Sequence, residues 1–201
     1  VGRIGHYAAI VLTAGVVSAC AGGGTQPGDA PATTPPSSSA ATGDVWDSAV
    51  RPASAAARVG TPQACPMPFA FDVSGGWTPR PNPPAEPRDG LEAACDLVAD
   101  PAYLRVWIGT EAGSSPRGAL ERFLQGEGEI TEPHFRDTQI GKGSGVEVTY
   151  EKPGDQRGRA FAVATPLRTI VVEVGAENPA DYAKALPGYL LAKDSLTPIE
   201  R

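Results

Sequence analysis

From residue 66 onward, apolar and polar positions alternate in short blocks separated by turn signals. Phe69-Ala70-Phe71-Asp72-Val73 has a period of two and runs into Ser74-Gly75-Gly76, which predicts a strand and then a turn. The proline-rich stretch from Pro79 to Pro87 predicts a loop. Residues 93–98 and 103–110 flank Ala99-Asp100-Pro101 and predict a hairpin. Ser114 or Ser115 before Pro116 marks a helix start: a serine hydroxyl accepts from a free first-turn N–H, and proline lacks a donor that would go unused there. Leu120, Phe123 and Leu124 then share one face, and Gly126 closes the helix. Four strand-like blocks follow, over 135–140, 145–151, 158–165 and 169–175. Pro153-Gly154-Asp155 and Thr165-Pro166-Leu167-Arg168 serve as hairpin loops between them. Asn178-Pro179 starts a second helix with Tyr182, Leu186 and Leu190 on one side. Pro187 has no N–H and its ring crowds the preceding turn, so a break or kink is expected there.

A strand, a hairpin, a helix, an antiparallel meander and a terminal helix make an α+β fold: a central antiparallel sheet flanked by helices. The length suits one core rather than two. Upstream, Trp46 and Val50 stand at helical spacing within residues 46–58, which predicts a short helix ended near Pro52 or further linker. Partial docking on the domain is the preferred reading.

The N-terminal block has a different pattern. Arg3 precedes an uncharged run over 7–17, about the length of a signal-peptide core and too short for hydrocarbon, which takes roughly twenty residues. Val17-Ser18-Ala19-Cys20, followed by Ala21-Gly22-Gly23-Gly24, resembles the bacterial lipobox. That resemblance implies cleavage before Cys20 and lipidation of its thiol, palmitate included. Several acyl chains together hold a protein on a bilayer stably. Residues 21–45 are mostly Gly, Ala, Ser, Thr and Pro with almost no large apolar groups to offset ordering entropy, so they read as a tether. The expected organisation is a signal over 1–19, lipidated Cys20 with a disordered tether to 60, and one extracytoplasmic domain over 61–201.

The strand ending "FDVSGGW", the helix beginning "SPRGALERFL", the meander and the terminal helix "PADYAKALPGYLLAKDSL" are similar to the Mog1/PsbP-like domains, in particular to actinobacterial lipoproteins of the LpqN/LpqT type. The likeness covers roughly residues 65–198. It implies helices on both faces of the sheet and a mostly non-enzymatic role in the envelope.

Of three cysteines, Cys20 is assigned to lipid. Export puts Cys65 and Cys95 in an oxidising compartment, where they are expected to form a disulfide around the proline-rich loop. The formal charge of −6 gives no footprint for phosphate backbones, so nucleic acid is not an expected partner. No catalytic signature stands out. His134 is the one imidazole left once His6 departs with the leader, and no GxSxG-type elbow accompanies it. Ile140-Gly141-Lys142-Gly143-Ser144-Gly145 lacks the spacing of a phosphate loop and reads as a hairpin turn. Glu127, Glu129 and Glu132 read as a solvated acidic turn, and Arg157-Gly158-Arg159 as hairpin surface. No enzyme activity, cofactor or metal is expected. Trp77, Tyr103 and Trp107 are the candidate ligand-binding residues, as core packing or as an aromatic groove for an apolar or glycan ligand. The expected partners are the membrane, through Cys20, and an envelope protein, a cell-wall component or an apolar molecule carried by the domain.

Overall fold

A computed structural model describes residues 44–60, 64–86, 88–165 and 168–199. The expected signal, Cys20 and the tether as far as 43 lie outside the described residues. Among the described residues are ten strands and two helices: β1 Ala57–Val59, β2 Phe69–Val73, β3 Thr78–Pro81, β4 Leu91–Ala99, β5 Ala102–Gly109, α1 Pro116–Gln125, β6 Thr131–Ile140, β7 Gly143–Lys152, β8 Gln156–Ala164, β9 Thr169–Gly175, α2 Pro179–Ser195 and β10 Thr197–Pro198. Seven strands form an antiparallel sheet in the order β3-β4-β5-β9-β8-β7-β6, and β1-β2-β10 form a small second sheet. The large sheet is two meanders joined where β5 pairs with β9. Between them the chain crosses the sheet through α1. The class is α+β, with a helix on each face.

Each face has its own core. On one side α2 and β2 pack over Cys95, Leu97, Leu104, Val106, Phe161, Ile170 and Val172. On the other, α1 covers Trp107, Val146, Val148, Ala160, Ala162 and Val171 with Leu120, Phe123 and Leu124. The caps form as their sequences dictate. Ser115 Oγ accepts from the Gly118 N–H at 3.0 Å, and Asn178 Oδ1 from the Asp181 N–H at 3.0 Å. The disulfide joins Cys65 to Cys95 with Cα atoms 5.6 Å apart, tying the segment before β2 to β4.

Several expectations need correction. α2 does not stop at Pro187 but continues to Ser195. A mid-helix proline costs about 3 kcal/mol, and burial of Tyr189, Leu190, Leu191 and Ala192 beyond it outweighs that. The Pro187 carbonyl also accepts from the Ala53 N–H at 2.9 Å. The proline-rich loop starts later than its composition suggests, because Thr78–Pro81 forms an edge strand whose prolines suit a position with one unpaired side. β6 likewise begins at Thr131, taking Pro133 into a register shift. The segment 44–60 is not helical linker: it turns at 45–49, runs extended and pairs Ala57–Val59 with β2. The folded unit therefore includes residues expected in the tether. Its hold on the domain is both apolar and polar: Val59 is buried in the core and Val50 packs against it, while Arg159 Nη1 donates to the Trp46 carbonyl at 2.9 Å, Arg157 Nη1 to Asp47 at 2.9 Å, and Arg136 stacks 4.0 Å from the Trp46 ring.

Arg159 is not hairpin surface either. It is 1% exposed and meets Glu147, which is fully buried and accepts from Arg159, Arg136, Lys193 and the Tyr189 hydroxyl. Burial alone would raise the Glu147 carboxyl. The Arg159 charge and hydrogen bond, then Lys193 and Arg136, outweigh it and hold the group down at about 2.

Candidate functional site

Period two puts Tyr103, Arg105 and Trp107 of β5 on the α1 face, and the β5–β9 register sets Arg105 opposite Glu173. α1 covers only part of this face. The remainder carries two cavities, one of about 580 Å3 lined by Arg88, Arg105, Trp107, Arg122 and Gln125, and one of about 420 Å3 lined by Tyr103, Tyr150, Lys152 and Glu173. Two glycines make room for the aromatic floor between them. A Cβ at Gly175 would stand 2.2 Å from the Tyr103 ring, and one at Gly158 2.3 Å from the Tyr150 ring, so each tyrosine lies flat over a bare backbone on the next strand.

The wall of the larger cavity is built from stacked cations. The Arg88 guanidinium lies 4.4 Å from the ring centres of both Trp107 and Phe123, donates to the Phe123 carbonyl at 2.9 Å and pairs with Glu127. Arg105 forms a two-pronged pair with Asp96, 2.7 Å at each prong, and its guanidinium lies 5.2 Å from Tyr103 and 5.7 Å from Trp107. The Asp96 bond raises the Arg105 pKa. Arg122 Nη2 donates to Ser114 Oγ at 3.0 Å.

Glu127 is the carboxylate that links the two cavities. It pairs with Arg88 and Lys152 and accepts from the Tyr150 hydroxyl at 3.0 Å. Burial opposes its charge, but Lys152 and Arg88 prevail and lower its pKa. It is therefore a buried partner rather than part of a solvated acidic turn. Glu173 is the opposite case. It accepts from the Trp107 indole N–H at 3.1 Å. Burial, reinforced by the Glu127 charge, pushes its carboxyl up to about 7 against the opposing pull of Arg88 and Trp107. Burial also raises the phenol of Tyr103, so that group stays neutral.

The three aromatics expected to bind a ligand do not converge. Trp107 is 1% exposed, a core side chain beneath Arg88 rather than an open platform, and it lines the larger cavity. Tyr103 lines the neighbouring one. Trp77 is on the other side of the sheet, against Gly188 of α2, at a separate cavity of about 260 Å3. His134 is exposed on edge strand β6. Among the described residues no group of three or more His, Cys, Asp and Glu is placed to hold a metal, and no helix is long and apolar enough to cross a membrane. Sequence reasoning missed Arg88, Arg105, Arg122, Glu127 and Glu173. Two signals existed: Arg105 lies between two aromatics on one strand face, and Glu173 interrupts the apolar run Ile170-Val171-Val172 and Val174.

A family model described as "uncharacterised lipoprotein" matches residues 36–196. The chain belongs to this lipoprotein family. No curated protein matches the lipoprotein in sequence. Among solved structures it is similar to the solution structure of cyanobacterial PsbP (CyanoP) from Synechocystis sp. PCC 6803, at 16% identity and a TM-score of 0.49, over 73% of this chain and 94% of that chain.

Proposed function

We propose that this lipoprotein is held at the extracytoplasmic face of the cell membrane by lipid on Cys20 and that its domain binds a partner non-covalently, without catalysing a reaction. In this reading residues 1–19 are a leader removed on export, and the segment that follows Cys20 is a tether ending where Trp46 and Asp47 dock. Membership of a lipoprotein family supports the address. The observation that carries the binding role is the wall of the 580 Å3 cavity. It presents three arginines, side chains suited to recognising polar groups, with Arg88 and Arg105 already neutralised by Glu127 and Asp96. A protein or cell-wall component of the envelope fits this polar lining better than the acyl chain of a carried lipid would, since guanidinium groups lose hydration against hydrocarbon.

Two measurements test the reading. Labelling cells with a palmitate analogue should mark the wild type and leave Cys20→Ser unmarked; equal labelling of both would remove the anchor. Crosslinking in intact envelopes should recover a partner with the wild type above the level seen with a Cys20-anchored unrelated domain. Recovery at only that background level would remove the binding role.

A further inference from the structure

Buried carboxylates in this domain come with cations. Asp96 has Arg105, Glu127 has Arg88 and Lys152, and Glu147 has Arg159, Arg136 and Lys193. Glu173 is 1% exposed and forms no ion pair among the described residues. The registers explain why. Its neighbour on β5 is Arg105, but both prongs of that guanidinium turn to Asp96, and its neighbour on β8 is Ala160. Glu173 Oε1 takes the Trp107 indole N–H. Oε2 meets no donor, yet it is not sealed: among the described residues Arg122 Nε is the one side-chain polar atom that is both unpartnered and shut away from solvent. The surface left to Oε2 belongs to the 420 Å3 cavity, which Glu173 lines. A buried carboxylate without a counter-ion is costly, so something else is called for at that oxygen.

The charges around this cavity do not balance. Its two cations are already paired, Lys152 with Glu127 and Arg157 with Asp47. Its two carboxylates, Glu173 and the exposed Glu177, pair with no cation among the described residues, so the charge left over is negative. The Tyr103 hydroxyl also lines the cavity without a partner, beside the bare backbone of Gly158 and Gly175. We infer that this cavity binds the primary ammonium group of a small organic ligand, with Glu173 as counter-ion and the Tyr103 hydroxyl as second acceptor. An ammonium is a compact charge with three donors, which suits acceptors that have none of their own. A metal ion fits less well, because no group of three or more His, Cys, Asp and Glu is placed to hold one among the described residues. The groups that face Glu173 explain how it waits for a ligand. Burial and the Glu127 charge push its carboxyl up to about 7, Arg88, Trp107 and Arg105 pull the other way, and Tyr103 and Tyr150 stay neutral. An arriving ammonium supplies the missing charge and drives the proton off. The site is separate from the arginine-walled cavity and does not depend on the partner role proposed above.

The test is a titration of the full chain with methylammonium chloride, with ionic strength fixed by sodium chloride. The Trp107 indole N–H resonance is the reporter, since it donates to Glu173, and circular dichroism follows the fold. The expected result is a saturable shift whose midpoint is about tenfold lower at pH 8 than at pH 6. An alkyl ammonium keeps its proton over that range, so the change measures the fraction of Glu173 that is ionised. Glu173→Gln keeps an acceptor for the indole but no charge, and should lose the saturable shift while staying folded. Tyr103→Phe keeps Glu173 and removes only the hydroxyl, and should weaken binding several-fold with the same dependence on pH. No saturable shift at pH 8, equal midpoints at the two pH values, or a midpoint in Glu173→Gln equal to wild type would overturn the inference. Calcium chloride at matched ionic strength should leave the resonance in place; a Glu173-dependent saturation with calcium instead would assign the site to a metal ion and overturn the ammonium. Ammonium binding and envelope crosslinking are read separately, so failure of one leaves the other standing.

Discussion

Arg159 Nε donates to Glu147 Oε1 at 2.8 Å, with the two side chains 1% and 0% exposed. The pair is the centre of a cluster in which one carboxylate faces Arg159, Arg136 and Lys193. Glu147→Gln would leave Arg136 and Lys193 without a carboxylate and Arg159 with only Asp47, 3.7 Å away, so a loss of about 3–5 kcal/mol is expected, the usual effect of removing one partner from a buried pair. Urea unfolding of the full chain checks it. A loss below about 1 kcal/mol would mean that water reaches the cluster.

The same carboxylate sets an acid limb. Folded Glu147 is held at about 2 against an ordinary 4.5, so the unfolded chain takes up the proton first as pH falls. Its stabilisation is complete above pH 4.5 and disappears toward pH 2, on the order of 3 kcal/mol in all. Melting temperature between pH 5 and pH 2.5 should drop steeply in the wild type. Glu147→Gln should show a shallower drop from a lower start.

Glu173 works in the reverse direction. Its folded carboxyl is raised to about 7, so the native state binds its proton more tightly than the unfolded state does. Stability from this group is full below pH 4.5 and is lost as pH rises to 7, after which it is flat. Glu173→Gln keeps a neutral acceptor for the Trp107 indole and should remove that slope, leaving the variant more stable than the wild type at pH 8. A wild-type melting temperature that rose between pH 5 and pH 7 through this residue would contradict the assignment.

Much of the fold was legible because local chemistry and packing agree. Ser115-Pro116 and Asn178-Pro179 start the helices, and Pro153-Gly154-Asp155 turns the hairpin between β7 and β8. Faces buried on both sides were harder to read. In β7, Val146 and Val148 face α1, so alternation would send Glu147 to solvent, but α2 covers that side with Tyr189 and Lys193. Lys193 directly after Leu190-Leu191-Ala192 was the available clue to a buried counter-ion. Pro187 misled for a related reason: local propensity was overridden by apolar burial further along α2. The cavity could not be read from sequence at all. Arg88, Arg122 and Glu127 come from a loop, a helix and the turn after it, which only the tertiary fold brings together.

Gly158 and Gly175 are each covered by a tyrosine ring. Gly158→Ala would put a methyl inside the Tyr150 ring contact and should cost about 1–3 kcal/mol, the range for overpacking. In a Tyr150→Ala background the same substitution should cost almost nothing. Equal costs in both backgrounds, from a double-mutant cycle in urea, would place the strain elsewhere.

The Cys65–Cys95 link closes a separation of 30 residues. Replacing both cysteines with serine should lower stability by about 3–4 kcal/mol on the chain-entropy estimate. Unfolding of the wild type with and without reductant provides the internal control.

The rims of the large sheet have a further consequence. Pro79 and Pro81 on β3 and Pro133 on β6 interrupt both outer rows of amide donors. An outer strand with gaps in its donors is a poor template for another chain, so the large sheet resists extension from molecule to molecule into fibrils. Crowding many copies into a thin layer should therefore leave them as separate particles.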